Sequence, residues 1–243
     1  MSGLKPPTYS HRPARLSNMK TILLIGASRG IGFELASQYI ADGWRVIATA
    51  RSDEGLERLK ALGAQTLRLD VADPASNSGL SWQLDGEKID LAIYVAGVGD
   101  RETTASPPTR EKFDLLMHTN AMGPMMVLPQ IAPMLLDKKG VFAVISSHFG
   151  SLTLTQTSMA VLYRMSKVAL NMYIRCAQYD FPEISCLALH PGWVQTDMGG
   201  PSAPLTPEQS ASSLRQTLER IRTQPRPEDR GAFLNHDGQT LPW

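Results

Sequence analysis

The chain has 243 residues, with 24 Lys and Arg against 23 Asp and Glu and a formal charge of +1. A chain of that length can bury a large core within one α/β domain. Its even charge balance offers no overall field for nucleic acid or an anionic membrane, so any anion must be recognised locally.

Residues 1–19 are polar and proline-rich, which predicts an N-terminal extension, with the domain itself over 20–243. No cleavable apolar leader follows the basic start, and the later apolar runs are strand-sized, so the expectation is a soluble, cytoplasmic protein. TILLIG at 21–26 reads as a strand, 30–43 as a helix and RVIATA at 45–50 as a second strand. A helix over 53–62, a strand at 65–69, a short helix near 75–84 and the strand DLAIYVAG from Asp90 continue the alternation. A longer helix over 111–136 is expected to bend at Pro124, Pro129 and Pro133, because proline lacks an amide donor and crowds the preceding turn. Strand 141–146, helix 161–179 and strand 184–190 follow, then a helix over 207–222 with Thr206 as its cap and Pro207 at its first position. GAFL at 231–234 reads as a last edge strand. Short, fully apolar strands between helices predict an α/β fold: one doubly wound Rossmann-type domain, its mainly parallel sheet covered by helices on both faces.

Gly26-x-x-x-Gly30-x-Gly32 sits between the first strand and the first helix. Glycines there allow a tight turn and close approach of a phosphate, and the helix start supplies amide donors and a positive dipole end. The spacing alone is a weak sign; its strand-turn-helix placement makes it a dinucleotide site, with an ordinary packing turn as the other reading. Arg29 and Arg51 then favour NADP(H), since the second strand ends without an acid to hold a free ribose 2′-hydroxyl, whereas a guanidinium pairs with a 2′-phosphate. Asp70, ending TLRLD, suits either the adenine amino group or a local cap.

Tyr163 and Lys167 are four residues apart, so a helix presents both on one face. An ammonium beside a phenol is expected to lower the phenol's pKa from about 10 and ease proton exchange. Ser146 and Ser147 end a strand in VFAVISSHFG, where a serine hydroxyl can hold a substrate oxygen. Asn120 is read as a residue that kinks its helix, binds a water leading to Lys167 or serves as a buried structural amide. Cys176 and Cys186 read as buried thiols, and His148 and His190 as structural or pocket-lining groups, so no metal is expected.

GASRGIG, Ala96-Gly97, Asn120, ISS before YRMSK, and PGWVQTDM together resemble the short-chain dehydrogenase/reductase family from about Lys20 onward. The resemblance implies catalytic roles for Asn120, Ser147, Tyr163 and Lys167: support of a relay water, anchorage of the substrate oxygen, proton transfer, and electrostatic and ribose contact. It implies that NADP(H) is held by Gly26, Ser28, Arg29, Gly30 and Ile31 at the phosphates, Arg51, Asp70 and Val71 at the adenosine, and Ala96, Gly97, Asn120, Tyr163, Lys167, Pro191, Gly192, Val194 and Thr196 further along. Ser147 precedes Tyr163 by sixteen residues, about three more than the common family spacing, and with the ending DGQTLPW this is similar to a branch that includes the insect carbonyl reductase Sniffer and bacterial C-factor-like proteins. Val95 stands where the family usually has asparagine.

The expected reaction is hydride transfer between NADP(H) and a small-molecule carbonyl or alcohol substrate. Ser147, His148, Phe149, Leu154, Trp193 and Met198 are the candidate substrate contacts, suited to small hydrophobic aldehydes or ketones. The short stretch 199–206 predicts an open pocket. The family also implies a homodimer or homotetramer built on the helices over 111–136 and 161–179. The alternative function is an NADP(H)-binding regulatory or signalling protein with weak or no catalysis.

Overall fold

The computed structural model describes residues 19–136 and 140–243. The extension expected over 1–19 lies outside the described residues except for Met19. Strands β1 (Thr21–Ile25), β2 (Arg45–Ala50), β3 (Gln65–Arg68), β4 (Leu91–Tyr94), β5 (Val141–Ile145), β6 (Ser185–His190) and β7 (Ala232–Asn235) form one sheet in the order β3-β2-β1-β4-β5-β6-β7. Every ladder is parallel. The helices are α1 (Gly30–Ala41), α2 (Asp53–Ala61), α3 (Pro74–Ser78), α4 (Leu80–Gln83), α5 (Arg110–Met117), α6 (Gly123–Leu136), α7 (Val161–Asp180) and α8 (Pro207–Thr223).

The two-residue period of a strand divides the core between the faces of the sheet. Ile22 and Leu24 of β1 pack with Leu35 of α1 and Leu214 and Leu218 of α8, while Leu23 and Ile25 pack with Val127 and Ile131 of α6 and Leu170 and Ile174 of α7. Both faces are therefore apolar, which is why β1 and β4 read as unbroken hydrophobic runs. Each such fully buried aliphatic side chain contributes about 1.5–3 kcal/mol. The order reverses between β1 and β4, and a crevice at the carboxyl ends of those strands is the expected ligand site of such a sheet.

Local chemistry explains most element ends. Thr206 accepts from the Gln209 amide at 3.2 Å, Gln209 accepts in return from the Thr206 amide at 2.9 Å, and Pro207 opens α8 as expected. The short helix expected near 75–84 is two pieces, parted at Gly79. The long helix over 111–136 is interrupted, and of its three prolines only Pro124 adjoins the break. Pro129 and Pro133 lie inside α6, on its exposed side, and the break falls at His118–Met122, which forms a π-helical turn just before Pro124. Pro124 has no amide to donate back into that turn. The sheet adds a second contribution: the Tyr94 hydroxyl donates to the Thr119 carbonyl at 2.7 Å, and a side chain at Gly123 would collide with that hydroxyl. Cys186 is buried in β6, as expected, but Cys176 is exposed on α7, because its helical position faces away from the sheet. Among the described residues no helix is long and apolar enough to cross a membrane.

Candidate active site

β1 runs into Gly26, whose φ of 82° is left-handed, and a Cβ there would lie 2.5 Å from Ala96 Cβ. Only glycine allows both the turn and this close meeting of the β1 and β4 ends. Gly30, at φ 53°, faces Thr196, whose Cγ2 would lie 3.2 Å from an added Cβ. Helix α1 starts with no side-chain cap and no acid in its first turn, so its free amides and positive dipole end are open to an anion. Ser28 lies against Gly55 beside this turn, and Ile31 packs on the core.

Arg29 pairs with Asp197 at 2.8 Å, joining the glycine turn to the loop after β6; both side chains are largely exposed, so the pair adds little stability. That loop is held by its own bonds: Ser210 donates to the Pro191 carbonyl at 2.7 Å, Val194 bridges Leu205, and Gly192 (φ 84°) leaves the space that Leu205 fills. Arg51 is exposed just after β2 and makes no side-chain hydrogen bond or ion pair among the described residues. Arg68, which the sequence reading did not single out, comes beside it because β2 and β3 pair Ala50 with Arg68; its guanidinium donates to the Arg51 carbonyl at 2.8 Å and pairs with Asp53. One oxygen of Asp70 caps the Ala72 amide at 3.0 Å, and Val71 is buried. A turn without room for side chains, an uncapped helix start and an unpaired guanidinium at the end of β2 fit a dinucleotide with a 2′-phosphate.

Tyr163 and Lys167 share a face of α7, the Lys167 ammonium nitrogen lying 5.6 Å from the Tyr163 ring centre. Lys167 is buried and donates to the Ile145 carbonyl at 2.7 Å, where β5 ends. The Ser147 side chain, two residues on, is close enough to the Tyr163 phenol to act on its ionisation, and its hydroxyl accepts from the Phe149 amide at 3.1 Å. Ser146 instead donates to Asn171 at 2.6 Å, and Asn171 donates to the Gly150 carbonyl, so that serine supports the turn. Burial pushes the Tyr163 phenol up to about 12 against a smaller lowering influence of Ser147, and burial pulls Lys167 down to about 7. The lysine-lowered phenol expected from the spacing is thus not what the protein alone presents, because loss of water disfavours the charged form of each group. A phenol held neutral is the form that can give a proton away.

Asn120 sits in the π-helical turn, fully buried, and spends its side chain on structure. It accepts from the Val98 amide at 2.9 Å and donates to the Val98 carbonyl at 2.8 Å and to Ser166 Oγ at 2.9 Å. Gly97 is the gap between Asn120 and Lys167: a Cβ there would lie 3.5 Å from Asn120 Oδ1 and 3.6 Å from Lys167 Nζ. The segment after Val98 in turn caps α7. Asp100 accepts from the Tyr163 amide at 3.3 Å, and the Glu102 carbonyl accepts from Val161 at 3.1 Å. The Asp100 carboxylate replaces the side-chain cap that Ala160, at φ 60°, does not provide. Nothing local in the sequence marks Asp100, since its partner is 63 residues away. Val95 packs near Gly32, and the Val95 and Ala96 amides both donate to the Ile25 carbonyl, so apolar contact and main-chain bonds hold the strand end where the family has asparagine.

On the other side of Tyr163, the Phe149 ring meets it edge-on at 6.2 Å between centroids, and His148 meets Phe149 edge-on at 4.5 Å. His148 Nδ1 lies 3.3 Å from His190 Nε2; burial and the neighbouring histidines pull His190 down to about 3, so it stays neutral. Leu154, Trp193 and Met198 are 39%, 52% and 45% exposed. Met198 lies against Gly99, and the Trp193 indole donates to the Gly199 carbonyl at 2.8 Å. The lengthened loop before α7 is tied down at its far end, where Trp243, stacked on Phe233, accepts at its carbonyl from the Thr153 amide and hydroxyl. Among the described residues no group of His, Cys, Asp or Glu could hold a metal ion.

The doubly wound parallel sheet, the glycine turn at its switch point and the phenol and ammonium beside it define an oxidoreductase fold of the Rossmann type. The chain belongs to the short-chain dehydrogenase family, whose model matches residues 20–204. The 1-hydroxy-2-glutathionyl-2-methyl-3-butene dehydrogenase of Rhodococcus sp. (strain AD45) is 30% identical over 236 residues, covering 93% of this chain and 100% of that protein. A short-chain dehydrogenase/reductase from Burkholderia multivorans, solved with bound NADP, matches with a TM-score of 0.84 at 31% identity, over 93% of this chain and 100% of that one. The carbonyl reductase Sniffer of D. melanogaster matches with a TM-score of 0.83 at 27% identity over the same shares. The chain therefore falls in the Sniffer-like, carbonyl reductase branch of the family.

Proposed function

We propose that the protein is an NADP(H)-dependent reductase of small hydrophobic aldehydes and ketones. The observation that carries this reading is the Tyr163 and Lys167 pair on one face of α7, with buried Lys167 donating to the Ile145 carbonyl where β5 ends. Gly26, Ser28, Arg29, Gly30 and Ile31 would hold the pyrophosphate, Arg51 the 2′-phosphate, and Asp70 and Val71 the adenine. Ala96, Gly97, Pro191, Gly192, Val194 and Thr196 would line the path to the nicotinamide. The NADP in the Burkholderia multivorans relative supports the choice of cofactor.

When bound, NADPH supplies the hydride to the carbonyl carbon. The carbonyl oxygen is held by the Ser147 and Tyr163 hydroxyls, and Tyr163 gives its proton to that oxygen. Lys167, charged below a pKa of about 7, stabilises the phenolate left behind. Asn120 keeps the Val98 segment and α7 in register, and so holds Tyr163 in place. Met165, Met172 and Tyr179, exposed at seven-residue spacing on α7, and Met125 on α6 supply an apolar surface for a homodimer or homotetramer.

The rival reading, a cofactor-binding regulator with little turnover, rests on the absent asparagine and the altered loop before Tyr163; the packing of Val95 weakens the first ground. The test follows NADPH absorbance across aldehydes, ketones and quinones. Turnover of at least one class is expected, with Tyr163→Phe lowering it about 10²- to 10⁴-fold while NADPH affinity stays within about twofold. Tight NADPH binding with no turnover anywhere on the panel would favour the regulator.

A further inference from the structure

Carbonyl reduction by itself sets no charge on the substrate. Arg164, the residue after Tyr163, does. Its guanidinium carbon lies 3.8 Å from the centre of the Phe149 ring, the same ring that meets Tyr163 at 6.2 Å. Its positive charge also lowers the pKa of His148, behind the burial of that imidazole, so the guanidinium stands at the wall formed by His148, Phe149 and Tyr163.

All its hydrogen bonds go to neutral acceptors. Nε donates to the Met159 carbonyl at 2.8 Å, Nη1 to the Thr155 hydroxyl at 3.4 Å and Nη2 to the Thr157 hydroxyl at 3.2 Å. Among the described residues no carboxylate lies within ion-pair distance of it. Arg220 and Arg222 of α8 show the usual alternative: Asp229 and Glu219 pair with them and raise their pKa values, whereas burial alone acts on Arg164, and lowers it. A guanidinium has five N–H donors, so one remains on each Nη, in the plane of the group. Such donors can be given to the oxygens of a carboxylate. Stacking on Phe149 and the bonds to the loop hold the fork in one orientation before any ligand arrives, which lowers the entropy lost on binding.

We propose that Arg164 is a substrate-recognition residue, and that the site takes aldehydes or ketones carrying a carboxylate, which the guanidinium grips while the carbonyl oxygen meets Ser147 and Tyr163. This rests on the carbonyl reductase reading and adds the charge of the substrate to it. The fork and the proton donor occupy adjacent residues of one helix, so the two ends of such a substrate would be read from a single rigid element. A bare staple for the lengthened loop would need no cation, because three neutral acceptors are all that it engages.

The test compares 4-carboxybenzaldehyde with its neutral methyl ester, methyl 4-formylbenzoate, by the ratio of their kcat/KM values. In the wild type the ratio is expected to favour the carboxylate about tenfold or more, chiefly through KM. Arg164→Gln is expected to collapse the ratio towards one, and Arg164→Lys, which keeps charge without the planar fork, to restore part of it. A wild-type ratio near one, or an Arg164→Gln variant that slows both aldehydes in proportion, would overturn the proposal. Should neither aldehyde be reduced, the carbonyl reductase reading is decided separately by the aldehyde, ketone and quinone panel, and binding decides the recognition role: 4-carboxybenzaldehyde titrated into the protein with NADP⁺ present. Binding weakened at least tenfold by Arg164→Gln supports the role; absence of binding, or equal affinity in both proteins, refutes it.

Discussion

The two sides of the crevice are made of different material. On the glycine-turn side the surface is backbone: Gly26 against Ala96, Gly30 against Thr196 and an uncapped helix start, with strands behind them that are wholly buried. On the Phe149 side the surface is side chain: Leu154, Trp193 and Met198 stand partly in solvent on turns tied down one bond at a time. Backbone held by a sheet tolerates almost no added atom, while exposed side chains on loops can change without disturbing the core. Within one fold, then, the proposed dinucleotide would be met by conformation and the proposed substrate by composition.

The largest expected effect comes from placing an alanine on each side. Gly26→Ala forces a Cβ to within 2.5 Å of Ala96 at a left-handed φ, and should cost about 3 kcal/mol in urea unfolding. Met198→Ala, although it removes far more atoms, should cost less than about 1 kcal/mol because the residue is 45% exposed. Equal losses would abolish the contrast.

Lys167 lies at the seam, and pH should separate its two effects. Its folded pKa is depressed to about 7 from 10.5. Between those values the unfolded chain binds the proton that the folded chain has released, so this lysine's contribution makes stability rise with pH. The charge that stabilises the phenolate vanishes over the same range, so reduction should slow about tenfold per pH unit above 7. Thermal unfolding and NADPH oxidation across that range test both slopes, and Lys167→Met should remove the stability slope along with most of the activity.

Smaller effects sharpen each side in turn. Arg51→Gln should weaken NADPH about tenfold in a fluorescence titration and leave NADH unchanged, since only the 2′-phosphate separates the two cofactors. Asp100→Ala removes the cap from the helix that carries Tyr163. A loss of about 1 kcal/mol of stability and a few-fold drop in kcat, with no change in NADPH affinity, are expected, because the residue acts through helix position rather than cofactor contact.

The sequence reading and the structure part company where contacts are distant. The long helix was expected to break at its prolines, yet Pro129 and Pro133 are accommodated on an exposed face; the break adjoins Pro124 and engages Tyr94, a strand residue 25 positions before Thr119. The resemblance to the family favoured Ser147 over Ser146, but Asn171, which takes the Ser146 hydroxyl, could not be read from it. Arg68 and Asp100 escaped notice because each acquires its place from a partner elsewhere in the chain.

Periodicity and turn chemistry act between near neighbours, so the amino-acid order alone determined the alternating strands and helices, the glycine turn, the Thr206 cap and the shared face of Tyr163 and Lys167. Which strand lies beside which, which groups lose their water and which arginine is left without an acid were settled only by folding. Those properties depend on long-range packing, where burial moved the Tyr163 and Lys167 pKa values against the direction that their attraction alone would give.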